Sequence, residues 1–174
     1  MDNIILVGMP GAGKSTVGVL LAKTLGYAFL DTDLVLQARE GALLQQLLDA
    51  KGREAFLEAE ADAVCAVSCR CTVIATGGSA VYRARAVEHL RELGRVVYLR
   101  LPLDEVERRL NNIGSRGIAM APGQTLADLY AYRTPLYEGC ADRTVDTAGQ
   151  TLEESVSAVL RALAEDEKGP MPAL

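Results

Sequence analysis

No stretch of this 174-residue chain stays apolar for the roughly 20 residues that a bilayer-crossing helix needs. The opening Met1-Asp2-Asn3 lacks a basic n-region, and the apolar run after it enters a glycine loop. We therefore expect no signal peptide, no membrane association and a cytoplasmic location. Positive charge is also scarce: 18 Lys and Arg stand against 23 Asp and Glu, a formal net charge of −5. That excludes a protein that coats nucleic acid, which needs a basic surface. A site for an anion must be built locally, from backbone N–H groups and a few placed arginines. Cysteines number four, at 65, 69, 71 and 140. Without a secretory leader they do not suggest a disulfide framework. Cys65, Cys69 and Cys71 can be read as metal ligands, although their spacing matches no familiar zinc pattern and His89 lies well away. The plainer reading, which we prefer, is that they are small apolar residues where a helix ends and a strand begins. No linker-like stretch divides the chain, and no internal repeat is evident.

What is present suits one ordinary domain. Hydrophobic residues make up 49% and charged residues 24%, which excludes wholesale disorder. A chain of this length buries about 70% of the surface it exposes when unfolded. Short apolar runs alternate with stretches of helical spacing. Strands are expected at 3–8, 27–30, 72–75, 95–101 and 144–146. Helices are expected at 14–25, 34–40, 43–50, 53–68, 84–93, 103–112, 125–138 with an interruption near Pro135, and 151–164. The last opens with Thr151 and Glu154 in capping-box spacing. Segment 116–123 reads as a loop, with two glycines and a proline. Residues from Glu165 onward read as a frayed tail. This alternation implies an α/β fold: a doubly wound sheet of about five parallel strands with helices on both faces.

Gly8-Met9-Pro10-Gly11-Ala12-Gly13-Lys14-Ser15 fits G-x-x-x-x-G-K-[ST]. It follows the first strand and opens the first helix, the context this motif requires. Glycines let successive N–H groups curl inward onto phosphate oxygens, and the helix N-terminus adds partial positive charge. Lys14 reaches the β- and γ-phosphates of a nucleoside triphosphate, and the Ser15 hydroxyl ligates Mg²⁺. Gly8, Gly11, Ala12, Gly13, Lys14, Ser15 and Thr16 are the candidate nucleotide-binding residues. Asp31 and Asp33 end the second strand, where ligands of a parallel sheet collect. In extended backbone, residues two apart point the same way. One can hold Mg²⁺ through water while the other faces a second substrate. Alternatively they form an Asx-type turn in which Asp33 caps the next helix.

Taken with four further stretches, these residues resemble the shikimate kinase family of small P-loop kinases. Gly52-Arg53-Glu54-Ala55-Phe56-Leu57-Glu58-Ala59-Glu60 resembles that family's G-x-x-x-F-R-x-x-E segment. Thr76-Gly77-Gly78-Ser79-Ala80-Val81 resembles its G-G-G-A-V turn. Arg108-Arg109 and then Arg116 fall where its pre-lid pair and lid arginine do. Arg133-Thr134-Pro135-Leu136-Tyr137 resembles its R-x-P-L-Y motif. The resemblance runs from about Asn3 to the final helix. It implies an ATP- and Mg²⁺-dependent kinase that phosphorylates a hydroxyl of a small carboxylic acid, shikimate in the family. It implies a single kinase domain over 1–165 with a mobile lid at about 114–124, a tail at 166–174, and a monomer. Asp33 would orient or deprotonate the acceptor hydroxyl, leaving Asp31 with Ser15 for the metal. Lys14 and Arg116 would neutralise the transferred phosphoryl group. Arg109 would stack on adenine. Arg133 and the Gly77-Gly78-Ser79 turn would bind the acceptor carboxylate.

Three positions depart from the pattern. The segment's arginine is Leu57, the turn's third glycine is Ser79, and the lid reads Arg116-Gly117-Ile118-Ala119. Losing one partner of a buried charge pair costs roughly 2–5 kcal/mol. With Leu57 as a substrate-contacting residue, a different hydroxylated acceptor becomes the alternative, homoserine or a sugar acid such as gluconate. Arg53, one helical turn before Leu57, can reach the same space in principle. A nucleotide-binding regulator without turnover is the reading from another class.

Overall fold

The computed structural model describes residues 3–113 and 118–164. Five strands form one parallel sheet: β1 (Asn3–Val7), β2 (Ala28–Asp31), β3 (Thr72–Ala75), β4 (Gly94–Arg100) and β5 (Arg143–Asp146), in the spatial order β2-β3-β1-β4-β5. β1 and β3 are buried at every residue. That is why both read as unbroken apolar runs, as expected of strands covered on both faces. Side chains nonetheless alternate between faces. Ile5 and Val7 join Ile74, Val96 and Tyr98 in one core. Ile4 and Leu6 join Val73, Val97 and Leu99 in the other.

The helices are α1 (Lys14–Leu25), α2 (Thr32–Glu40), α3 (Leu44–Cys65), α4 (Ala84–Leu93), α5 (Leu103–Ile113), α6 (Leu126–Cys140) and α7 (Leu152–Ala164), with a 3₁₀ turn at Ala80–Tyr82. α1 and α7 cover one face through Val17, Leu21, Val156 and Val159. α3, α4, α5 and α6 cover the other through Val64, Leu90, Val106 and Leu129. A third cluster, with Leu36, Leu47, Phe56 and Leu57, packs α2 against α3. Among the described residues no helix is long and apolar enough to cross a membrane. Nor do three His, Cys, Asp or Glu gather as a metal site, and all four cysteines are free thiols.

Two expected helix interruptions meet different outcomes. The break expected between 43–50 and 53–68 is present: within Leu44–Cys65 the helix is interrupted at Gly52, which takes a non-helical φ 75° and ψ 167°, a conformation open to glycine. The expected interruption at Pro135 does not end α6, which runs on to Cys140. Proline removes one N–H and crowds the preceding turn, a cost of about 3 kcal/mol in a helix interior. Here the Thr134 hydroxyl donates to the Tyr130 carbonyl (2.8 Å) in that turn. Beyond it, buried Tyr137 anchors the helix by donating to the Gly78 carbonyl (2.6 Å).

Asn3 also ties the frame together. Its amide donates to the carbonyls of Cys69 and Leu93 and accepts from the Thr72 N–H, all within 3.0 Å.

Candidate active site

β1 runs straight into the phosphate loop. Gly8, Gly11 and Gly13 all have positive φ, and a Cβ on Gly8 would lie 2.7 Å from the Leu99 carbonyl oxygen. Only glycine meets both demands. The Ala12 N–H closes the turn onto the Met9 carbonyl (3.1 Å). Lys14 is 8% exposed. Its ammonium donates to the Gly8 (2.9 Å) and Met9 (3.0 Å) carbonyls. Burial pushes its pKa down to about 8, against the opposing pull of Asp33. Two neutral carbonyls replace little of the water this cation has lost, so an arriving phosphate is a better partner.

At the end of β2 the two aspartates divide their work. Asp31, not Asp33, caps α2: its Oδ1 accepts from the Asp33 N–H (2.9 Å). This corrects the expected cap, for a local reason. Asp31 keeps extended backbone, whereas Asp33 already lies in the first helical turn. The other Asp31 oxygen accepts from the Ser15 hydroxyl (2.7 Å). Ser15 Oγ and Asp31 Oδ2 thus form a corner of hard oxygen donors beside the phosphate loop, the ligand chemistry magnesium prefers. Asp33 faces a cavity of about 300 Å³ that Lys14, Ser15, Thr16, Gly78, Ser79 and Arg133 also line. Burial, reinforced by the Asp31 charge and offset by Lys14, raises the Asp33 pKa to about 6.

Arg133 on α6 is 1% exposed. Its Nε donates to the Tyr82 hydroxyl (2.7 Å), and Nη2 reaches the Ala119 carbonyl (3.5 Å). Its guanidinium carbon lies 5.1 Å from the Tyr82 ring centre. Nη1 lies 2.6 Å from where a Gly78 Cβ would be, so a side chain at 78 would force the guanidinium to shift. Gly77 is pinned by its N–H to the Thr32 hydroxyl (3.1 Å). Arg109 on α5 lies along the phosphate loop, donating to the Gly11 carbonyl (3.1 Å) and to Glu105 (3.0 Å). Arg116 and the first part of the expected lid lie outside the described residues; Ile118 and Ala119 from its second part line the cavity.

Leu57 requires a correction. It is 2% exposed and belongs to the third apolar cluster. The cavity wall on this helix is formed by Leu44, Phe56 and Glu60 instead. An apolar side chain here turns towards Leu36 and α2, because burying it there is worth about 1.5–3 kcal/mol. Leu57 is therefore a core residue, not a lining one. Arg53 donates to Glu54 (2.9 Å) and sits over the Tyr82 ring at 5.6 Å. Pattern reading assigned no role to Glu60 or Tyr82. Glu60 carried a signal, a charge four residues after Phe56 on a helix face that is otherwise buried. Tyr82 carried none.

The arrangement offers a phosphate cradle, a donor corner for a metal, a carboxyl and a buried guanidinium around one cavity. The shikimate kinase family model matches residues 10–164. The chain belongs to the shikimate kinase family. A curated shikimate kinase of Pseudomonas aeruginosa (strain LESB58) is 44% identical over 151 residues, covering 84% of this chain and 87% of the relative. The shikimate kinase from Acinetobacter baumannii, solved in complex with shikimate, superposes with a TM-score of 0.88 at 33% identity, covering 96% of this chain and 95% of that one. A gluconokinase from Sinorhizobium meliloti 1021 shares the fold alone, with a TM-score of 0.59 at 24% identity over 96% of this chain and 94% of its own. As a family member the chain is an ATP-dependent phosphotransferase that acts on a hydroxyl group.

Proposed function

We propose that this shikimate kinase family member transfers the γ-phosphoryl group of ATP to a hydroxyl of shikimate, giving shikimate 3-phosphate. The observation that carries the reading is Arg133. A guanidinium 1% exposed, beside the bare backbone of Gly78 and in the same cavity as Asp33 and Lys14, is a built carboxylate site next to a built phosphate site. A guanidinium fork matches a carboxylate bidentately. The substrate complex of the Acinetobacter baumannii protein supports shikimate as the acid.

Lys14 exchanges the Gly8 and Met9 carbonyls for the β- and γ-phosphate oxygens. Ser15 and Asp31 hold Mg²⁺, which when bound draws off charge on those oxygens. Asp33 orients the acceptor hydroxyl and takes its proton as the new O–P bond forms and the bond to ADP breaks. A carboxyl raised to about 6 suits a base working near neutrality. Arg133, with the turn at Gly77, Gly78 and Ser79, fixes the acid. Arg109 stacks on adenine, and Arg116 closes with the lid over the transferred group, keeping water out.

Testing takes an ADP-release assay on a panel of acids: shikimate, homoserine and gluconate. Shikimate-dependent release at kcat/KM of about 10⁴ M⁻¹s⁻¹ or more is expected. A clear preference for another acid, or ATP hydrolysis indifferent to all three, overturns the assignment.

A further inference from the structure

Glu60 on α3 is 3% exposed, yet it forms part of the cavity wall. A buried carboxyl needs hydrogen-bond donors. Leu57, one turn earlier, supplies none and points into the third apolar cluster. The donor comes from the turn after β3, where the Ser79 hydroxyl donates to Glu60 Oε2 (2.6 Å). Ser79 is itself buried. With Oε2 fixed, the direction of Oε1 is fixed too. It presses on the space beside Gly77 where any Cβ would collide with it, and Asp33 Oδ1 lies 2.6 Å from the same point. Two carboxyl groups therefore converge over one glycine, on the cavity shared with Lys14 and Arg133. One carboxyl suffices to take the proton of the reacting hydroxyl. The other is free to accept a hydrogen bond from a hydroxyl on the neighbouring carbon.

We propose that Ser79 is a specificity-determining positioning residue: it holds Glu60 so that Oε1 reads a second hydroxyl of the acceptor, next to the one that Asp33 orients. This rests on the hydroxy-acid kinase reading above and names what its acceptor must carry, a vicinal diol. It also joins two departures of this chain into one feature. Where position 57 offers no cation to a buried glutamate, position 79 offers a neutral hydroxyl.

A site built to bind a substrate hydroxyl rejects the analogue lacking it strongly, because its own buried polar group is left unpaired. The test compares shikimate with the deoxy analogue that lacks the non-reacting hydroxyl vicinal to the phosphorylated one. In the unmodified protein kcat/KM should favour shikimate by about 10²-fold or more. Ser79→Ala should cut that ratio at least about tenfold, raising the KM for shikimate with the KM for ATP unchanged. Ser79→Thr, which keeps the hydroxyl, should restore it. Glu60→Gln, which keeps an oxygen for Ser79 and the side-chain size, serves as a second reading of the same ratio and should also lower it. Unchanged discrimination in Ser79→Ala or Glu60→Gln, or none in the unmodified protein, overturns the role of Ser79 alone. No turnover of shikimate by the unmodified protein overturns the functional reading and this inference together.

Discussion

Replacing Glu60 by glutamine should change how stability depends on pH, in a direction and size the structure sets. Burial, with a smaller push from Asp33, raises the Glu60 pKa from 4.5 to about 7, although the Ser79 hydrogen bond pulls the other way. The folded protein therefore holds a proton that the unfolded chain releases near 4.5. Between those two values folding takes up a proton, so stability falls as pH rises, and the decline ends above pH 7. The interval is about 2.5 pH units, and each is worth about 1.36 kcal/mol, giving about 3 kcal/mol. Glu60→Gln keeps the shape and an acceptor oxygen for Ser79 but cannot ionise. Urea unfolding of both proteins at about pH 4.5 and pH 8 isolates the effect, since other titrations cancel in the difference. The variant should gain about 3 kcal/mol over the unmodified protein between the two conditions. A difference that stays flat with pH would refute the claim that burial holds this carboxyl protonated. A difference of opposite sign would mean that Arg133 or Lys14 compensates the charge in full.

Lys14→Ala should abolish phosphoryl transfer while leaving the far-ultraviolet circular dichroism unchanged, because the ammonium binds only loop carbonyls; wild-type turnover would defeat the phosphate-loop assignment. Asp33→Asn should lower kcat by at least about 10²-fold with the KM for ATP little changed, whereas a collapse of ATP binding would give Asp33 to the metal and Asp31 to the acceptor. In the unmodified protein kcat/KM should fall as pH drops below about 6, where Asp33 takes up its proton; a pH–rate profile flat to pH 5 contradicts that base. Gly78→Ala places a Cβ 2.6 Å from Arg133 Nη1 and should raise the acceptor KM at least about tenfold with ATP binding intact, which isothermal titration with each ligand separates.

The phosphate half of the site was legible in the sequence because it is local. A glycine pattern, one lysine and one serine within eight residues, between a strand and a helix, leave few other structures open. The acceptor half was only partly legible because it is assembled over long range. Arg133 and Gly78 could be named from motifs, but that a side chain at 78 would displace the Arg133 guanidinium is a contact across 55 positions. Position 57 could be placed on a helix, yet which way its side chain turns is decided by Leu36 on another helix. The glutamate at 60 was in plain view, and its role stayed hidden because its partner lies at 79. The same distinction explains Pro135. Proline is a local stop signal, and the hold that Tyr137 exerts on Gly78 is not local.

That hold gives the two halves of the cavity different lifetimes. The phosphate loop hangs from β1, which pairs with both β3 and β4 at the centre of the sheet. It should open only with the whole domain. Arg133 reaches the cavity from α6, tied there through Tyr137 to Gly78, through Arg133 to Tyr82, and through Tyr130 to the Leu101 carbonyl. These few hydrogen bonds and one buried helix face can let go in a sub-global fluctuation that leaves the central strands closed. In such a partly opened state the molecule keeps its phosphate loop and loses the proposed carboxylate clamp. Amide exchange along α6 should then slow when the acid is bound and respond little to nucleotide alone.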